Sequence, residues 1–103
     1  MAEYQITYWR DIPAMVTARE GRRNKAKIEL PQRFQVAIDE AAMRAGLVGD
    51  DAYMEQWRRN GWQDQEGTPQ EVADSVGAAI EVEYDPAKTR SLMDNLGFQE
   101  QSA

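Results

Sequence analysis

The chain has 103 residues, 42% of them apolar, a net charge of −6, and neither histidine nor cysteine. Those two absences exclude a Ser-His-Asp triad, a cysteine nucleophile, the usual nitrogen and sulfur zinc sites, a thiolate-held iron-sulfur cluster and any disulfide. The length suits one domain over 1–103. No apolar run approaches the roughly 18 residues of a membrane span, and Met1 to Arg10 lacks the basic start and apolar stretch of a signal peptide, so a cytoplasmic protein is expected.

Tyr4, Ile6 and Tyr8 alternate with Gln5, Thr7 and Trp9, the two-residue period of a strand with one buried face. Asp11-Ile12-Pro13 interrupts it, because proline cannot donate to a ladder. Ala14, Val16 and Ala18 then alternate with Met15, Thr17 and Arg19, and Ala26, Ile28 and Leu30 with Lys25, Lys27 and Glu29. Glu20-Gly21-Arg22-Arg23-Asn24 between them suits a hairpin loop, since Gly and Asn tolerate positive φ. The expectation is a three-stranded antiparallel meander.

About four helices follow. Pro31 opens the first, with Phe34, Ile38, Ala41 and Ala45 on one face and Gly46 as its stop, and this helix is expected to cover the sheet. Asp50 and Asp51 are expected to cap a shorter helix that carries Tyr53, Met54 and Trp57 on one side and ends by Asn60-Gly61. Trp62 to Gly67 is a polar connector. Thr68, Pro69 and Glu71 form a capping box ahead of Val72, Val76, Ile80 and Tyr84. A strand over 79–84 is the alternative there, because Ile80, Val82 and Tyr84 also alternate. Asp85-Pro86 starts the last helix, with Leu92, Met93 and Leu96 inward and Gly97-Phe98 as a Schellman ending, and 99–103 is expected to fray. The fold class is α+β.

Charge is segregated along the chain. Residues 1–34 hold seven basic and four acidic side chains, whereas 35–103 hold five basic and fourteen acidic. Two clusters follow from this. Arg22, Arg23, Lys25 and Lys27 lie at and beyond the hairpin tip, where they either keep an edge soluble or hold nucleic acid or another anion beside Tyr4, Tyr8 and Trp9. Trp57-Arg58-Arg59-Asn60-Gly61-Trp62, with Trp9 and Arg10, concentrates residue types that anchor protein interfaces; the alternative is a helix end whose arginines offset its dipole.

Enzyme chemistry finds no footing. Asp39-Glu40, Asp50-Asp51 and Glu81 with Glu83 are carboxylate pairs, but neighbours on a helix point to different faces. No loop has calcium-binding spacing, and the seven glycines form no phosphate cradle. No residue is assigned a catalytic or metal-binding role, and no cofactor is expected.

Several blocks of this chain resemble the bacterial virulence factor domain family, which includes the C-terminal domain of conserved virulence factor C. They are Tyr8-Trp9-Arg10-Asp11-Ile12-Pro13-Ala14, Ala26-Lys27-Ile28-Glu29-Leu30-Pro31 with Arg33-Phe34, Ala41 to Leu47, and Tyr53 to Arg59. The resemblance covers roughly residues 4–62, and the region after Gly67 matches only in helical character. It implies a bacterial origin and an accessory role, since the longer proteins join such a domain to a scaffold-type domain and helical repeats. It also implies a link to one-carbon and corrinoid methyl transfer. The expected function is therefore a non-enzymatic accessory or protein-interaction domain, with nucleic-acid or anion binding through the basic hairpin as the alternative.

Overall fold

The computed structural model describes residues 1–47 and 50–98. The tail over 99–103 and the cap expected from the Asp50 side chain lie outside the described residues. In chain order the elements are β1 (Ala2–Trp9), β2 (Ile12–Glu20), β3 (Asn24–Glu29), α1 (Gln32–Arg44), α2 (Asp50–Met54), β4 (Trp57–Arg59), β5 (Gln63–Gln65), α3 (Pro69–Glu83) and α4 (Pro86–Asp94). The α+β class and the antiparallel meander β1-β2-β3 are as expected, and the loop at 21–23 turns the second hairpin with Gly21 at φ 68°.

Pro13 does not break the sheet. It lies inside β2, opposite Tyr8, and the register slips by one residue so that Ala14 is the extra member of a bulge between the Thr7–Met15 and Tyr8–Pro13 pairs. The bulge frees the Ala14 carbonyl to accept from the Leu30 N–H at 3.1 Å. The first hairpin therefore turns on Arg10 and Asp11 alone.

The sheet has five strands. β4 and β5 both pair with the outer side of β1, one along Thr7–Trp9 and the other along Ala2–Tyr4. The end of the expected helix is thus strand over Trp57–Arg59, and half of the expected polar connector is strand over Gln63–Gln65. A helix of five residues has little to sustain it in water, whereas the open edge of β1 offers a row of unpaired N–H and C=O groups. Asn60 joins the two short strands: its N–H donates to the Ile6 carbonyl at 3.2 Å and its Oδ1 accepts from the Ile6 N–H at 2.7 Å. Between the Thr7–Arg59 and Tyr4–Gln63 pairs the outer strand carries one residue more than β1, which places a second bulge at Gly61-Trp62.

One sheet face is covered, by α3 and not by α1. Ala2, Ile6, Val16 and Ala18 are buried on that face, and α3 crosses β1, β2 and β3 with Val72, Ala73, Val76 and Ile80 inward. Gly77 lets the helix approach, since a Cβ there would collide with Ile28 Cδ1. Its apolar stripe of small residues suits close contact, whereas α1 packs Phe34, Ala37, Ile38 and Ala41 against β2 and α4. The capping box of Thr68 and Glu71 is closed in both directions, and their hydrogen bonds hold the Glu71 carboxyl below its ordinary pKa. Residues 79–83 are helical. Val82, which the strand alternative would bury, is 81% exposed.

Gly46 ends α1 at φ 76°, with its own N–H on the Met43 carbonyl and the Leu47 N–H on the Ala42 carbonyl. In α4 the left-handed residue is Leu96 (φ 61°), one position earlier than expected; the Gly97 N–H closes the motif on the Leu92 carbonyl at 2.7 Å. Leu96 is consequently exposed, while Leu92 is buried. Gly97 is needed for a different reason: at φ 93° a Cβ would lie 2.7 Å from the buried ring of Trp9.

Gly97→Ala is therefore expected to lose about 1–3 kcal/mol in urea unfolding, from backbone strain and overpacking together. Gly21→Ala, with φ 68° but nothing within 4 Å of the added carbon, carries only the strain and should lose less. Equal losses would show that the Trp9–Gly97 approach is not tight.

Candidate functional site

Cross-strand partners share a face, so Glu3, Gln5, Thr7 and Trp9 lie together with Met15, Thr17, Arg19, Trp57 and Arg59 on the side opposite α3. At the far end of that side Trp9 is fully buried. Its indole N–H donates to the Tyr53 carbonyl at 3.1 Å, and its ring lies 5.8 Å from that of Tyr53, which meets Trp57 edge-on at 6.1 Å. Burial pushes the Tyr53 phenol above its ordinary pKa. Trp57 is half-buried at the outer end of this row.

In front of Trp57 the surface is hollow. A groove of about 540 Å³ is lined by Thr7, Met15, Met54, Trp57, Arg58 and Arg59. Met54 is 61% exposed, a large apolar side chain left to solvent. A second hollow beyond Met15 and Trp57 continues to Glu29, Gln32 and Gln35 at the start of α1.

The two arginines differ. Arg58 is exposed yet tethered: Nε donates to the Arg10 carbonyl at 2.9 Å, Nη2 to Asp11 Oδ1 at 3.1 Å, and the guanidinium lies 4.5 Å from the centre of the Tyr8 ring. Arg59 is exposed, and among the described residues nothing pairs with it by hydrogen bond or ion pair.

Trp57 and Arg59 thus come together on the groove side, on a strand and not at a helix end, while the Arg58 guanidinium turns to Tyr8 and Asp11 at the rim. Trp9 is a correction to the sequence reading, because a fully buried indole cannot touch a partner. Arg10 is structural as well: Nε donates to Gln56 Oε1, Nη1 to the Leu96 carbonyl at 2.7 Å, and the guanidinium lies over the rings of Trp9 and Phe98. Trp62, 37% exposed, stands farther along the edge with the Arg19 guanidinium 3.7 Å from its ring centre. Arg19 also pairs with Glu3 at 3.1 Å. Sequence reasoning missed Thr7, Met15 and Met54; a methionine on the polar side of the β2 alternation was the available signal.

Arg22, Arg23, Lys25 and Lys27 are all exposed, and none takes part in an ion pair among the described residues. Lys25 and Lys27 oppose Arg19 and Thr17, which puts them on the same face as the groove, on the strand next to that of Met15. Among the described residues no three carboxylates gather in a metal-holding group, and no helix is long and apolar enough to cross a membrane.

On the covered side, behind Arg58, lie Tyr8 and Tyr84. Desolvation pushes the Tyr84 phenol up to about 12, helped by Tyr8 and the carboxylates of Glu83 and Asp11 and opposed by Arg58. Tyr8 is raised mainly by desolvation too. Below pH 10 both phenols are neutral folded or unfolded; between about 10 and 12 the unfolded chain releases a proton that the fold keeps, so stability falls. Urea unfolding at about pH 9 and about pH 11 should show that loss, and Tyr84→Phe should reduce it. An unaltered loss in the variant would mean that Tyr84 is not desolvated.

No curated protein and no solved structure matches the chain. The family model described as Virulence factor matches residues 7–93, which takes in the hairpin of Trp9 and Arg10, the whole groove, and α3. With that match over most of its length, the chain belongs to the virulence factor domain family.

Proposed function

We propose that this virulence factor domain is a non-enzymatic accessory module that holds a protein partner at the groove beside β4. The observation that carries the reading is the grouping of Met15, Met54 and Trp57 with Arg59 on the sheet face that α3 leaves uncovered, with Arg58 at the rim. Aromatic residues, methionine and arginine are the types enriched at protein interfaces, and an apolar floor with a charged rim is the arrangement in which they bind. The absence of histidine and cysteine supports holding over turnover. A cytoplasmic role beside one-carbon and corrinoid methyl transfer, or in virulence regulation, is the finer proposal, supported by the family resemblance.

The test uses the full chain and a double variant, Met54→Asp with Arg59→Glu, both at exposed positions. The variant should unfold at the same urea concentration as the parent, yet lose a protein that the parent captures from an extract of the native organism. Identical capture by both proteins would sink the reading.

A second reading draws on the exposure of all four cations of the basic hairpin. Single-stranded RNA bound there should dissociate steeply as salt rises, because counterions are released on binding. A labelled oligonucleotide that does not bind even at low salt removes this alternative.

A further inference from the structure

We infer that the segment seated in the groove is acidic: a stretch of a partner protein that places one large apolar side chain on Met15, Met54 and Trp57 and an adjacent carboxylate on Arg59. This deepens the interaction reading above and rests on it. The first support is the chemistry of the lining. Met15, Met54 and Trp57 are apolar or aromatic, Thr7 is a hydroxyl, Arg58 and Arg59 are basic, and none of the lining residues is acidic. Arg59 has no counter-charge among the described residues, so a carboxylate arriving there displaces no internal ion pair. Arg58 is held by the Arg10 carbonyl and Asp11 over the Tyr8 ring, so its charge is already met and Arg59 is the cation left for the partner.

The second support is the charge of the rest of the molecule. Residues 35–103 carry five basic and fourteen acidic side chains, and two of the five are Arg58 and Arg59. Arg59 is thus one of few cations in the acidic two thirds of the chain, and the other positive cluster on this face is the basic hairpin. A basic partner is drawn to the acidic surface contributed by 35–103 and repelled at Arg59, whereas an acidic one is steered to this face. Direction along the groove follows from its second hollow, where Glu29 stands with Gln32 and Gln35. Carboxylates belong at the Arg59 end, and neutral or amide groups at the α1 end. Methionine walls accept several apolar side chains, so the class of anchor is a large apolar residue and not one residue type.

Selection of short random peptides displayed on phage against the full chain tests this, with the enriched peptides synthesised and titrated by fluorescence polarisation. Expected is a consensus of a large apolar residue next to Asp or Glu. Its affinity should fall about tenfold or more in Arg59→Glu, fall with Met54→Asp, and weaken between about 50 and 200 mM salt. Arg59→Gln, milder and equally exposed, should show an intermediate loss. Enriched peptides that depend on Met54 but carry no acidic residues and ignore Arg59→Glu would overturn the acidic-segment inference and leave the interaction reading standing. If no peptide depends on Met54 or Arg59, both fall. Displacement of an acidic peptide from the groove by single-stranded RNA would also count against the inference.

Discussion

The fold is organised around one junction, where the β1-β2 hairpin tip is gripped by the chain's C-terminal end. Arg10 adopts a left-handed φ of 54°, uncommon for a residue with a side chain. Three directions of bonding hold it there. Its N–H and Nε bind Gln56, its Nη1 binds the Leu96 carbonyl, and its own carbonyl accepts from Arg58. The neighbouring Asp11 N–H donates to the Gly97 carbonyl at 2.8 Å. Under this cover lies Trp9, whose burial needs a glycine at 97 and a hydrogen-bond acceptor at Tyr53. An indole N–H buried without an acceptor would be costly, so the short helix α2 and the end of α4 are tied to the same ring.

That junction determines where the groove is. Trp57 faces solvent on one side because Tyr53 and Trp9 occupy the other, and β4 lies where it does because Trp9 and Trp57 are cross-strand partners. The sheet has one face under α3 and the other bare, an arrangement open to antiparallel sheets. On that face the side chains are Thr, Gln, Glu, Lys and Arg, apart from Trp62 over Arg19 and from the end where Met15 and Trp57 stand beside the buried Trp9 and Ile12. An apolar hollow in a polar face therefore reflects a local departure from alternation, produced by the bulge at Ala14 and by the return of the chain at α2.

Much of the fold was legible in the residues. Two-residue alternation marked β1 to β3, the Thr68-Pro69-Glu71 box marked α3, Gly46 marked the end of α1, and Asp85-Pro86 marked the start of α4. β4 and β5 were not, because three residues are too few to establish a period and Trp57-Arg58-Arg59 carries no alternation of its own. Their strand character comes from the open edge of β1, a tertiary cause. The site was half-legible for the same reason. Trp57, Arg58 and Arg59 stood out by residue type, but the periodicity of β1 placed Trp9 with Gln5 and Thr7 on the polar side, and only the returning C-terminal end buries it. Nor could one sequence show that Met54, on a five-residue helix, meets Met15 across the sheet.

The size of the groove constrains how a partner must bind. It seats one or two side chains, and stable interfaces cover about 800 Å² on each partner. A protein anchored there alone would dissociate readily, so lasting contact requires the bare sheet beside it. That sheet offers Lys25 and Lys27 three strands from Arg59, with the Glu3–Arg19 pair between the edges already neutral. The row straight across from Arg59 runs through Thr7 and Met15 to Glu29, so an acidic partner meets positive charge at both ends only on a path that slants toward Lys27 and Lys25. The basic hairpin and the groove, separate clusters in the sequence, then form two contact points of one surface, and the charge segregation of the chain gains a structural purpose.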